Sequence, residues 1–201
     1  MKVKLFILVI GILCSSPSIA EETRFHQDAM KICFNCHGQN GASTQPLYPI
    51  LAGQQEYYLY VQLKDFKSGL RAGPEMSAVV TALTKEEMKA MAKYFNQHEW
   101  PNLGIKATPE TIKQGLTAIS AGQCVQCHRG GFEGGSGVPR LAGQHPEYLL
   151  KTMLDFKYKR RTNAAAKSSL FASFSDEDIE ALANYLASLT VHKASQPSEI
   201  E

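Results

Sequence analysis

Apolar residues recur at helical spacing twice in this chain, and in both places the same signals surround them. Met88, Met91, Ala92 and Phe95 share one face of a 3.6-residue helix, as do Ile179, Leu182, Ala183 and Leu186. Each set predicts a closing helix with its stripe turned to a core. Thr84-Lys85-Glu86-Glu87 is a capping box ahead of the first, and Ser175-Asp176-Glu177-Asp178 is a weaker version ahead of the second. Upstream, Leu51-Ala52-Gly53-Gln54 matches Leu141-Ala142-Gly143-Gln144, and Tyr58 to Phe66 matches Tyr148 to Phe156, with Asp65-Phe66-Lys67 repeated as Asp155-Phe156-Lys157. The chain is one unit written twice.

Each unit reads as an opening helix carrying a Cys-x-x-Cys-His segment at its end, a loop, a middle helix, a polar loop and a closing helix. No strand-like runs of β-branched residues interrupt this order, so the predicted class is all-α. Thr108-Pro109-Glu110 starts the second opening helix, and Trp100-Pro101-Asn102-Leu103-Gly104 punctuates the chain just before it. The expected division is a leader at residues 1–20, units at 21–103 and 108–192, and a polar tail at 193–201. A unit of about 85 residues has a small core, so something other than its own side chains has to complete it.

The leader has the pattern of a secretory signal: Lys2 and Lys4, an apolar run from Leu5 to Leu13, and small residues in Ser18-Ile19-Ala20. The apolar run is too short to span a membrane. Cys14 would leave with the leader, and Leu13 before it departs from the small residue a lipoprotein site needs. Losing Lys2 and Lys4 leaves 19 basic residues against 19 acidic ones. That balance argues against a nucleic-acid partner, which calls for a basic excess. Lys157, Lys159, Arg160 and Arg161 read as a solvated helix end, with an anionic group or an acidic partner as the other readings.

The chemistry lies in two five-residue segments. Cys33-Phe34-Asn35-Cys36-His37 recurs as Cys124-Val125-Gln126-Cys127-His128. In a Cys-x-x-Cys-His motif the thiols form thioethers with the haem vinyl groups, and the histidine binds the iron. A zinc ribbon spaces its pairs by roughly 15 to 20 residues, whereas these pairs sit in separate repeats. A thioredoxin-like dithiol needs a βαβ setting that is absent here. Two covalently bound haem c groups are expected, on Cys33 and Cys36 and on Cys124 and Cys127, with His37 and His128 on the irons. The haems would supply the apolar contacts each unit lacks. The glycine-rich stretch 130–137 lacks a phosphate-loop ending and reads as a flexible loop at a haem edge.

With these motifs, the two Leu-Ala-Gly-Gln segments, Tyr-Leu followed by Asp-Phe-Lys, and Arg71 and Arg161, the sequence resembles the cytochrome c4 family over nearly all of the chain beyond the leader. That resemblance implies two tandem class I cytochrome c domains, a periplasmic location, and electron transfer to a terminal oxidase or other redox partner. It also implies a methionine as sixth iron ligand before each closing helix. Met76 stands eight residues before Thr84, whereas eight residues before Ser175 stands Lys167, and residues 162–174 hold no methionine. The second iron has Lys167, water or nothing on that side. Met88 and Met91 read as core residues, Met153 as packing, His145 as an exposed helix-start residue, and His26, His98 and His192 as surface residues.

The first functional reading is an electron carrier with inequivalent haems and no catalytic residues. Its partners would be a terminal oxidase, a membrane quinol-oxidising complex or a dehydrogenase. The rivals are an electron-accepting subunit of a dehydrogenase, for example one acting on sulfur compounds, and a haem enzyme or sensor built on an open or Lys-ligated second haem.

Overall fold

A computed structural model describes residues 30–190. The leader, the tail, Cys14, His26 and His192 lie outside these residues. The described chain is helical throughout, and its one β feature is an isolated bridge between Gly135 and Val138. Helix α1 covers 30–37 and is followed by a 3-10 turn at Gln39–Gly41. The first half continues with α2 (Glu56–Ser68), α3 (Pro74–Thr81) and α4 (Lys85–Asn96), and the second half contains α5 (Pro109–Gly122), α6 (Val125–His128), α7 (Pro146–Lys157), α8 (Ala165–Phe171) and α9 (Asp176–Ser188).

The closing helices form where their caps predict. Thr84 Oγ1 accepts from the Glu87 amide at 3.2 Å while Glu87 Oε2 accepts from the Thr84 amide at 2.6 Å. Ser175 and Asp178 make the same reciprocal pair at 3.0 and 3.3 Å. The shorter aspartate therefore still closes the box, with a longer return bond. Behind these caps the predicted stripes are buried. Met88, Met91, Ala92 and Phe95 join Leu59, Phe66 and Val80 in one core, and Ile179, Leu182, Ala183 and Leu186 join Ala118, Leu149 and Phe174 in a second. α2 packs on α4 in the first half, and α5 and α7 pack on α9 in the second.

Two expectations change. The polar loops before the closing helices contain α3 and α8, eight and seven residues long. Neither is long enough to show a periodic stripe, and isolated helices of this length are held by tertiary packing, not propensity. In the second half the attachment motif is not the end of the opening helix. α5 stops at Gly122, Gln123 takes a left-handed conformation with φ 50°, and Cys124–His128 restarts as a separate turn.

The Leu-Ala-Gly segments tie the halves to the linker. Gly53 and Gly143 have φ of +66° and +71°, a region glycine enters freely and other residues rarely do. Their amides donate to Phe95 O and Leu186 O at the ends of the two closing helices. Trp100 lies against both turns, and its Nε1 donates to Gly143 O at 3.3 Å. A Cβ on Gly143 would lie 3.0 Å from Trp100 Nε1, while one on Gly104, also at positive φ, would meet nothing within 4 Å. Gly143→Ala should accordingly cost about 1–3 kcal/mol of stability, and more than Gly104→Ala, in denaturant titrations of the holoprotein. Equal losses would show that backbone strain alone, and not the Trp100 contact, sets the cost.

Candidate functional site

Each half places one imidazole at the floor of an apolar crevice. His37 ends α1 and is 6% exposed, and its Nδ1 lies 2.9 Å from Pro49 O. His128 ends α6, with Nδ1 3.0 Å from Pro139 O. A carbonyl oxygen only accepts, so Nδ1 carries the proton in both rings and Nε2 keeps its lone pair. Burial pulls the His37 pKa below its ordinary value, opposed by the Pro49 bond and assisted by Arg71. Burial pulls His128 further, to about 4, with the Pro139 bond opposing and Lys167 assisting. Both rings are uncharged at neutral pH, the state in which imidazole binds a metal.

The thiols stand beside these rings. Burial pushes the Cys33 thiol up to about 11 and also raises Cys124. A redox-active dithiol needs the opposite, a depressed pKa. None of the four described cysteines is in a disulfide. Among the described residues no three His, Cys, Asp or Glu side chains converge as a bare metal site requires.

The two crevices are parts of one cavity. Leu59, Leu63, Phe66 and Phe95 wall the first part, and Leu149, Met153, Phe156 and Leu186 wall the second. Met76 and Lys167 reach it from corresponding places, each being the third residue of its short helix, α3 or α8. The Lys167 amine lies below the ordinary lysine range, first because of burial and then because of Arg161. Two thiols, a neutral imidazole with Nε2 available, apolar walls and a facing thioether or amine fit a covalently attached haem.

The centre of the cavity is polar and built from both halves. Arg71 donates to Tyr148 OH at 3.0 Å and to Gln62 Oε1 at 2.9 Å, and Arg161 reaches Gln62 Oε1 at 2.7 Å and Tyr58 OH at 3.4 Å. Loss of solvent opposes ionisation of Tyr148, but the neighbouring Arg71 and Arg161 bring its pKa down to about 8. Asn163 adds bonds to Gln62 and Asp65.

Several sequence readings are corrected at this centre. Arg161 belongs to no solvated helix end, being 7% exposed and bonded across the halves. Lys157 caps Phe174 O and pairs with Asp176. His145 is 5% exposed, with Nε2 2.9 Å from Ser43 O in the other half. The glycine-rich loop is anchored: Phe132 is buried, and Glu133 O and Ser136 O accept bonds from Gln55 and Tyr58 across the junction. Met153 packs in the core as expected, and His98 is half-buried with Nδ1 on Tyr94 O. Gln54, Gln62, Gln144, Tyr58, Tyr148 and Asn163 were not singled out from the sequence. The one signal for Gln54, Gln144, Tyr58 and Tyr148 is their repetition at matching places, which a fold repeat alone accounts for, while Gln62 and Asn163 match Thr152 and Gly73 and carry no signal at all.

Comparison with known proteins agrees with this geometry. Residues 112–190 match the Cytochrome c family model. Cytochrome c4 of Pseudomonas aeruginosa is 34% identical over 79% of this chain and 84% of its own length. The crystal structure of reduced recombinant cytochrome c4 from Pseudomonas stutzeri superposes with a TM-score of 0.76 at 33% identity, covering 83% of this chain and 98% of that one. The thiosulfate dehydrogenase electron acceptor of Stutzerimonas stutzeri is 29% identical over 80% of each chain. With its helical halves, its paired Cys-x-x-Cys-His sites and these relatives, the chain belongs to the diheme cytochrome c4 family, whose members carry haem c and transfer electrons.

Proposed function

We propose that this chain is a periplasmic electron carrier whose two halves, 21–103 and 108–192, each hold one haem c. Cys33, Cys36 and His37 bind the first, with Met76 as its distal ligand, and Cys124, Cys127 and His128 bind the second, with Lys167 facing its iron. When bound, each haem takes up and releases a single electron at its iron. The protein's part is to hold the neutral imidazoles, exclude water with the apolar walls, and choose the distal atom. The observation that carries this reading is that Met76 and Lys167 occupy the same third position of α3 and α8 in one cavity.

The distal atoms differ in chemistry. A thioether is soft and favours ferrous iron, while a neutral amine is harder and favours the ferric state. The Met76 side therefore has the higher potential, and the pair gives electron flow a direction. Lysine binds iron only as the neutral amine, and burial beside Arg161 already favours loss of its proton. The electron donor and acceptor are redox proteins: a quinol-oxidising complex, a terminal oxidase or a dehydrogenase. The similarity to a thiosulfate dehydrogenase electron acceptor supports the last as a second reading. Among the described residues no helix is long and apolar enough to cross a membrane.

Protein matured with haem-ligation machinery should keep two haems after denaturation. Its mass should fall by one haem in the Cys124→Ala, Cys127→Ala double variant, and a wild-type mass with one haem or none would sink the diheme assignment. Met76→Ala should remove the charge-transfer band of methionine-bound ferric haem and lower the higher of the two potentials. Survival of both would leave Met76 a packing residue.

Lys167→Ala should turn the second haem from low to high spin at neutral pH and let it bind small ligands, and Lys167→Met should raise its potential towards that of the first. The depressed lysine pKa sets the sign of the pH effect: the neutral amine persists below the ordinary lysine range, and acidification protonates it and frees the iron. The Met76 haem should stay low spin over the same interval. A second haem already high spin in the wild type, and unchanged by Lys167→Ala, would favour the enzyme or sensor reading.

A further inference from the structure

The carbonyl that orients each imidazole belongs to a peptide unit that the other half of the molecule holds. His37 Nδ1 donates to Pro49 O at 2.9 Å, and the amide of that same peptide, Ile50 N–H, donates to Gln144 Oε1 at 2.9 Å. Gln144 Nε2 returns a bond to Ile50 O at 3.0 Å. The second half repeats the arrangement. His128 Nδ1 donates to Pro139 O at 3.0 Å, Arg140 N–H donates to Gln54 Oε1 at 2.8 Å, and Gln54 Nε2 donates to Arg140 O at 3.0 Å. Gln54 and Gln144 are 4% and 2% exposed, and Ile50 is 1% exposed.

We infer that Gln144 and Gln54 are positioning residues for the haem of the opposite half: each clamps, through one peptide plane, the proline carbonyl that holds the other half's iron-binding imidazole. A peptide unit is planar, so fixing its N–H fixes the direction of its C=O. Donation from that N–H also polarises the carbonyl, and hydrogen bonds in such a chain strengthen one another. A stronger bond to Nδ1–H makes the imidazole a more basic ligand and favours ferric iron. Each glutamine therefore holds down the potential of a haem it does not carry. Its Oε1 also accepts from the next residue of its own half, Gln55 N–H at 2.9 Å and His145 N–H at 3.1 Å, so the clamp is itself held. The inference rests on the reading that His37 and His128 are the iron ligands.

The test uses the full-length holoprotein with Gln144→Leu and, separately, Gln54→Leu. The methionine charge-transfer band marks the haem of the first half. Gln144→Leu should raise the potential of that haem and leave the other in place, and Gln54→Leu should do the converse. The expected change is threefold to tenfold in the one-electron equilibrium, about 28 to 59 mV. Amide exchange at Ile50 should accelerate in Gln144→Leu. The two variants alter different residues, so loss of folding in one leaves the other to decide. Faster Ile50 exchange with both potentials unmoved would overturn the inference and leave the glutamines structural. A shift confined to the haem of the mutated half would overturn it as well. A wild-type ferric protein whose proton NMR spectrum shows no hyperfine-shifted histidine ring resonances would defeat the ligand reading, and this inference with it.

Discussion

A buried imidazole that is to bind iron must be uncharged, must present a known nitrogen and must not turn. In each half burial keeps the ring uncharged, and one bond, from the ring Nδ1–H to a proline carbonyl, meets the other two conditions, Pro49 for His37 and Pro139 for His128. Proline carries no N–H, so that residue contributes only an acceptor to the crevice floor. The rest of the half is arranged around keeping this floor in place. The Leu-Ala-Gly turn follows directly, its glycine amide anchors on the closing helix, and the closing helix supplies the core stripe. Losing any of these links would leave a small core without a fixed ring.

The two halves share this frame and differ in what they set against it. α3 presents a thioether and α8 an amine from the same helical position. The electrostatic surroundings diverge accordingly. In the first half Arg71 acts on His37, while in the second Lys167 acts on His128 and Arg161 acts on Lys167. In the second crevice Arg161 thus disfavours the charged form of Lys167, and burial in low dielectric makes that effect count for more than it would in water.

Features governed by local rules were legible in the sequence. The caps at Thr84, Thr108 and Ser175, the buried stripes of α4 and α9, and the division of the core between two repeats follow from residue spacing and capping chemistry, and the structure carries all of them. The short helices α3 and α8 were missed because seven or eight residues cannot display a period. The fate of Arg161 and His145 was missed for a different reason. Both look like surface residues in one dimension, and both are buried only because a second half is docked against them. Nothing in a single repeat says which of its polar residues will face the other.

The partners across the junction explain how two repeats can diverge and stay matched. Ser43 and Glu133 offer carbonyls to the matched residues His145 and Gln55, and Ile50 and Arg140 correspond, yet these pairs share almost no side-chain chemistry. What each offers its partner is main chain: Ser43 O to His145, Glu133 O to Gln55, and the amides and carbonyls of Ile50 and Arg140 to Gln144 and Gln54. Main-chain groups survive substitution, so at these contacts only the reaching residues, Gln54, Gln55, Gln144 and His145, carry side-chain requirements, whereas the bonds of Arg71, Arg161 and Asn163 across the junction fix side chains on both sides. A junction built this way keeps its near-twofold pattern while the residues around it, Met76 and Lys167 included, are left to differ.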